Sequence, residues 1–197
     1  MKKNFFIIIF LIFTLNENSY AYSNDPKEFI SEIVLEAKGI LQDSNTKEFK
    51  TKKLSEIAMK TVDIKGVAYY SLGKYRKALN DNQLKEYLSL FEKYFLKSFT
   101  SRLTDYSDPK IEVRSTEVLN PKYTIVRSVL LATDKKPEVK IEWRVYTKNP
   151  DKPLIRDLII EGLSLARTQK EEFASVIESN NGDVTKLFDT LKKFVSK

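Results

Sequence analysis

The segment DLIIEGLSLARTQKEEF (157–173) holds residues of types that do chemistry: Asp157, Glu161 and Ser164, with Lys170 downstream. Ser164 follows Gly162 by two positions, a spacing at which a bend can expose a hydroxyl, so a serine nucleophile is the first chemistry to weigh. The usual activation of serine needs a histidine, and the chain has no His. It has no Cys either, which removes cysteine nucleophiles, disulfides and His- or Cys-based zinc sites together. A Ser164–Lys170 dyad has no matching motif, and the simpler role for Ser164 is to cap or turn the chain between a strand and the next helix. Asp157 lies between the apolar Ile155 and Ile159 and is a candidate general base if that face is covered. Its competing role is a structural acid paired with an arginine or with backbone amides, and no second polar group is placed to share proton transfer.

The rest of the composition narrows the classes further. The five glycines, Gly39, Gly66, Gly73, Gly162 and Gly182, are scattered and build no phosphate-cradling loop. Tyr69, Tyr70, Tyr75 and Tyr87 offer hydroxyls to a pocket, but tyrosine is common in exported folds. The formal charge of +7 points first to a lysine-rich solvated surface and second to anionic head groups or an acidic partner. The lysines form no dense patch, so nucleic acid is not an expected partner. No cofactor or metal is expected.

The N-terminus reads as a targeting segment. Lys2 and Lys3 precede the apolar run FFIIIFLIFTL (5–15), and Ser19 and Ala21 supply small residues before a cut at Ala21–Tyr22. That run falls short of the ~20 apolar residues that span a bilayer. Residues 1–21 are thus expected to be a cleaved signal peptide and 22–197 a single exported domain, soluble, periplasmic and monomeric. No cysteine follows the cut, which excludes a lipoprotein anchor there.

The elements that must position these residues follow from periodicity. Residues 26–43 place Phe29, Ile30, Ile33, Val34, Ala37, Ile40 and Leu41 on one helical face, started by Asp25 and Pro26. A second helix covers 48–61, and Asp63 opens a short third, broken near Gly73. Asn80 and Gln83 form a capping-box pattern before a long stripe of Leu84, Tyr87, Leu88, Phe91, Phe95, Phe99 and Leu103. Beyond Pro109 the pattern alternates, giving strands at 110–119, 123–133, 138–147 and 154–162. In the third strand Ile141, Trp143 and Val145 share one face, and Lys140, Glu142 and Arg144 the other. Helices over 168–179 and 183–195 close the chain. The order predicts an α+β fold with a four-stranded, mainly antiparallel sheet and helices on one face.

An aromatic helix facing a sheet rich in Val, Ile and Trp has more apolar side chains than a thin core requires, which suits an enclosed apolar cavity. The residues then resemble a family. VDIKGVAYYSLGKYRKALNDNQLKEYLSLFEKYFLKSFTSRLTDY (62–106) is similar to a segment of MlaC-type proteins, also called toluene-tolerance auxiliary proteins, through Asp63, Leu72-Gly73-Lys74-Tyr75, Gln83, Phe91, Phe95, Leu103 and Tyr106. VKIEWRVY matches a family strand, and Asp157, Glu161-Gly162-Leu163-Ser164-Leu165 and Phe173 carry a family signature. Arg76, Pro153 and Gln169-Lys170 depart from the family's pattern.

The resemblance implies an NTF2-like-related fold and a periplasmic phospholipid carrier, part of the Mla system that maintains outer-membrane lipid asymmetry. It implies exchange between an outer-membrane lipoprotein–porin complex and an inner-membrane ABC transporter with its membrane-anchored substrate-binding subunit. The expected lining of the tail cavity is Tyr70, Leu88, Phe91, Phe95, Phe99, Ile141, Trp143, Val145, Leu158 and Ile160, with no catalytic residue. Two other functions stay open at this stage: an enzyme on an NTF2-like cone using Asp157 as general base, and a lipid-free interaction module.

Overall fold

The computed structural model describes residues 21–105, 107–134 and 137–196. The signal-peptide segment, apart from Ala21, and Tyr106 lie outside them. Helix α1 (Pro26–Gln42) starts where Asp25 accepts from the amides of Lys27 and Glu28, and it buries Phe29, Ile30, Ile33 and Leu41. Helix α2 (Lys47–Thr61) is capped by Thr46, and α3 (Ile64–Leu72) by Asp63. Gly73 ends α3 at φ 55°, a backbone state that glycine adopts without a Cβ penalty, and a 3-10 helix (Gly73–Ala78) follows. The capping box at Asn80 and Gln83 forms as its spacing predicts and opens α4 (Asp81–Leu103).

Five strands make one antiparallel meander: β1 (Ile111–Asn120), β2 (Tyr123–Leu130), β3 (Val139–Tyr146), β4 (Leu154–Ile160) and β5 (Leu163–Ser164). The fifth, two residues long, adds to the four that alternation predicts. The last helices are α5 (Leu165–Glu178) and α6 (Thr185–Ser196). Helix α5 begins three residues earlier than expected, because Ser164 rather than a later residue caps it.

Two apolar clusters hold the molecule. The first lies among helices: Tyr87 and Phe91 of α4 meet Phe173 of α5 and Phe188 of α6, with Val67, Ala68 and Leu72 of α3. Tyr87 is fully buried, and its hydroxyl donates to the Ala68 carbonyl at 2.9 Å. The second lies between α1, α2 and one sheet face, where Phe29, Ile30, Leu54 and Ile57 pack on Val126, Val145 and Ile155. Val62, at the α2–α3 junction, packs against both. Helix α4 links them as well, with Phe91 inside the helical cluster and Leu103 against the sheet-side one.

Candidate functional site

The segment that first invited chemistry is a structural joint. Glu161 (φ 49°) and Gly162 (φ 82°) form the two-residue turn between β4 and β5; positive φ at both central positions is what a tight hairpin turn of this kind requires. Ser164 then caps α5, its Oγ accepting from the Arg167 amide at 3.1 Å and donating to Asp157 Oδ2 at 2.7 Å. Asp157 is buried, and both its oxygens are engaged: Oδ1 accepts from the Ala166 amide at 3.0 Å, and Oδ2 also meets Arg144 Nη1 at 3.3 Å. These are the contacts that a structural acid would make. Three donors fix the carboxylate between β3 and α5.

Strand register explains which side chains gather there. Arg144 pairs with Asp157 across β3 and β4, but Val145 pairs with Ile155, so Arg156 is an extra residue in β4. The bulge lets Ile155 join the sheet-side core while Asp157 stays on the opposite face. Arg156 is aimed at the α2–α3 junction. Its Nε and Nη2 reach Asp63 Oδ2 at 2.7 and 2.6 Å, its Nη1 donates to the Tyr123 hydroxyl at 2.9 Å, and its guanidinium lies 3.6 Å from the Tyr146 ring centroid. Burial opposes that charge, yet the bonds to Tyr123 and Asp63 outweigh it, so Arg156 holds its proton more tightly than a free arginine. Asp63 meanwhile accepts from the Gly66 amide at 2.8 Å; a Cβ at Gly66 would stand 2.4 Å from the Asp63 carboxylate, so only glycine allows this approach.

Two clefts flank this clasp. One, of about 310 Å³, is lined by Met59, Lys60, Val62, Asp63, Ile64, Lys65, Glu92, Lys152 and Leu154 and lies at the seam where the two clusters meet. The other, of about 350 Å³, is lined by Gly66, Val67 and Tyr70 of α3, Leu119 and Asn120 of β1, Tyr123, Arg144, Arg156, Asp157 and Ala166.

Comparison with known proteins adds to this geometry. The family model described as MlaC protein matches residues 31–193, most of the chain. The chain belongs to the MlaC family. Among solved structures this MlaC-family chain is similar to the phospholipid-binding protein from Ralstonia solanacearum, determined in complex with a phospholipid. The two are 20% identical with a TM-score of 0.71, over 85% of this chain and 94% of that one. At that identity the likeness speaks for the α+β fold. A comparison with curated protein sequences gives no match.

The MlaC signature residues that the sequence singles out have visible structural roles. Asp63 caps α3 and clasps Arg156; Gly73 ends α3; Tyr75 donates to Glu178 at 2.7 Å; Gln83 completes the capping box; Glu161 and Gly162 make the turn; Ser164 and Asp157 fix α5. The expected tail-lining residues fall into two groups. Leu88, Phe91 and Phe95 belong to the helical cluster, and Val145 and Trp143 to the sheet-side one, where Trp143 Nε1 donates to Ser128 Oγ at 2.8 Å. Phe95 stacks on Phe91 and Phe99 on Phe95, with ring centroids 6.3 and 5.8 Å apart, carrying an aromatic ladder from the helical cluster toward Leu103. Leu158 and Ile160 lie opposite Trp143 and Ile141 on the sheet. Leu88, Phe95, Phe99, Trp143, Leu158 and Ile160 are all only half-buried. Of the ten expected residues, Tyr70 lines the second cleft; neither cleft is lined by the other nine.

Arg144, Arg156 and Tyr123 were not singled out by sequence as site residues. The one trace in the sequence is Arg156-Asp157, two polar residues that interrupt the apolar run of β4 and fit a strand end as well as a bulge.

Proposed function

We propose that this protein is a periplasmic carrier of glycerophospholipid. In this reading residues 1–21 are removed on export. The carrier exchanges lipid between an outer-membrane lipoprotein–porin complex and an inner-membrane ABC transporter, and so helps keep the outer membrane asymmetric. MlaC membership and the phospholipid held by the structural neighbour support it. The observation in this chain that carries it is a set of large apolar side chains left half-buried rather than sealed in either core: Phe95 and Phe99 on α4, and Trp143, Leu158 and Ile160 on the sheet. Acyl tails would take up that uncommitted surface.

Apolar burial alone is ample for such a ligand. A chain of about fourteen methylenes at ~0.8 kcal/mol each gives roughly 11 kcal/mol gross, before the costs of ordering. The cleft at the Val62 seam, of about 310 Å³, sits at the low end of the roughly 300–1,000 Å³ typical of small-ligand sites, so loading two tails there requires the clusters to part. The carrier needs no catalyst, and Asp157, with its oxygens engaged by three donors, is read as a brace rather than a base.

Native mass spectrometry of the protein, as purified and after incubation with phosphatidylethanolamine–phosphatidylglycerol vesicles, tests the proposal. A phospholipid-mass adduct is expected, and Phe99→Asp should strip it while costing less than about 1 kcal/mol of stability, since that ring is half-buried. Protein that never acquires lipid overturns the reading.

A further inference from the structure

The second cleft does not belong to the tail-binding surface. It lies on the opposite sheet face from Trp143, since Arg144 is its neighbour in β3 and alternate residues face opposite ways. Its cations are unequal. Arg156 is spent on Asp63, Tyr123 and Tyr146, whereas among the described residues Arg144 donates through Nη1 alone, to an Asp157 already held by Ser164 and Ala166. Most of the Arg144 donor fork therefore stays open to the cleft. The Tyr123 hydroxyl accepts from Arg156, which leaves its own proton to donate.

The rim is apolar and basic together. Leu119 and Val118, at the tip of the β1–β2 hairpin, are 45% and 74% exposed, and Tyr70 across the cleft is 46% exposed. Lys170 Nζ sits 5.2 Å over the Tyr70 ring, and Lys122, at the hairpin turn, has no ion pair among the described residues. Of the nearby acids, Asp157 is shared with Arg144 and Glu117 is paired with Arg127, so the lysines supply the excess positive charge of the rim. Exposed aliphatic and aromatic side chains set among lysines, beside an arginine with free donors, are the chemistry of an anionic lipid interface.

We infer that this cleft and hairpin tip form a contact site for an anionic bilayer surface, with a lipid phosphate on Arg144 and Tyr123 and with Leu119, Val118 and Tyr70 lying at head-group depth. The inference takes its biological sense from the carrier reading, but concerns a different surface and a different lipid from the one carried.

Vesicle co-sedimentation tests it, with phosphatidylglycerol-containing vesicles against pure phosphatidylcholine. The wild-type protein should bind the anionic vesicles, and less so in high salt. Arg144→Gln should weaken binding about fivefold, the effect of one basic group at such a surface. Leu119→Asp, at an exposed position where folding is not at stake, should weaken it at least as much. Phospholipid occupancy by native mass spectrometry should be unchanged in both. Undiminished sedimentation of both variants overturns the inference, as does wild-type protein that carries lipid but ignores anionic vesicles; the carrier reading survives either result. Protein that binds vesicles yet never carries lipid would sink the carrier reading and leave this surface standing. Titration with inorganic phosphate separates the sources: phosphate binding lost in Arg144→Gln, with vesicle binding intact, would assign the cleft to free phosphate instead and overturn the inference.

Discussion

Ser164 and Asp157 act on each other and on the end of a helix. Replacing Ser164 with Ala removes a helix cap and one donor to a buried carboxylate, and should cost about 1–2 kcal/mol. Asp157→Asn presents an amide donor toward Ser164 or Arg144 and should cost about 2 kcal/mol. Because the residues share one network, the double variant should lose less than the sum, which urea titrations of the four proteins would reveal. The sequence made both residues conspicuous and named their structural roles among the options. It could not name Arg144 as the partner, because that depends on the register between β3 and β4, which no local pattern encodes.

Tyr87 makes a second residue-scale prediction. Burial pushes its hydroxyl well above the ordinary tyrosine range. The folded value lies above the unfolded one, so the stabilisation is whole below about pH 10 and is lost as pH rises beyond it. Tyr87→Phe should lower stability by about 1 kcal/mol at neutral pH, through the lost bond to Ala68, yet show a shallower alkaline decline. An alkaline limb identical to wild type would refute this.

At the scale of elements, two glycines separate backbone from packing. A Cβ would meet nothing within 4 Å at either Gly39, inside α1, or Gly162, in the β4–β5 turn at φ 82°. Gly39→Ala should therefore stabilise by about 0.5–1 kcal/mol, and Gly162→Ala should destabilise by about 1 kcal/mol, both as shifts in denaturant midpoint with unchanged slope. Helices with a cap and a long stripe were the most legible elements: α1 and α4 begin where Asp25 and Asn80 predict. Helix α5 was less so, because its cap, Ser164, is itself the last residue of β5, and an apolar Leu165-Ala166 start resembles a continuing strand. The Arg156 bulge was illegible as a bulge, since two adjacent polar residues in an apolar run fit a strand end equally well.

For the whole molecule, element order and the switch from helical to alternating period were enough to foresee the α+β fold. What they could not foresee is that the apolar residues close into two cores joined at Val62 and along α4, with Phe95, Phe99 and Trp143 left half-buried. Interior volume depends on how helices seat against a sheet, and that geometry is set by long-range contacts. The central claim is that phospholipid tails occupy the interval bordered by Phe95, Phe99 and Trp143. Trp143 is the only tryptophan in the chain, so it reports on that interval directly. Phospholipid brominated along its acyl chains should quench Trp143 emission strongly, saturating at equimolar lipid, while the unbrominated lipid does not. Trp143 emission that stays unchanged in a protein shown by mass to hold the brominated lipid would contradict the account.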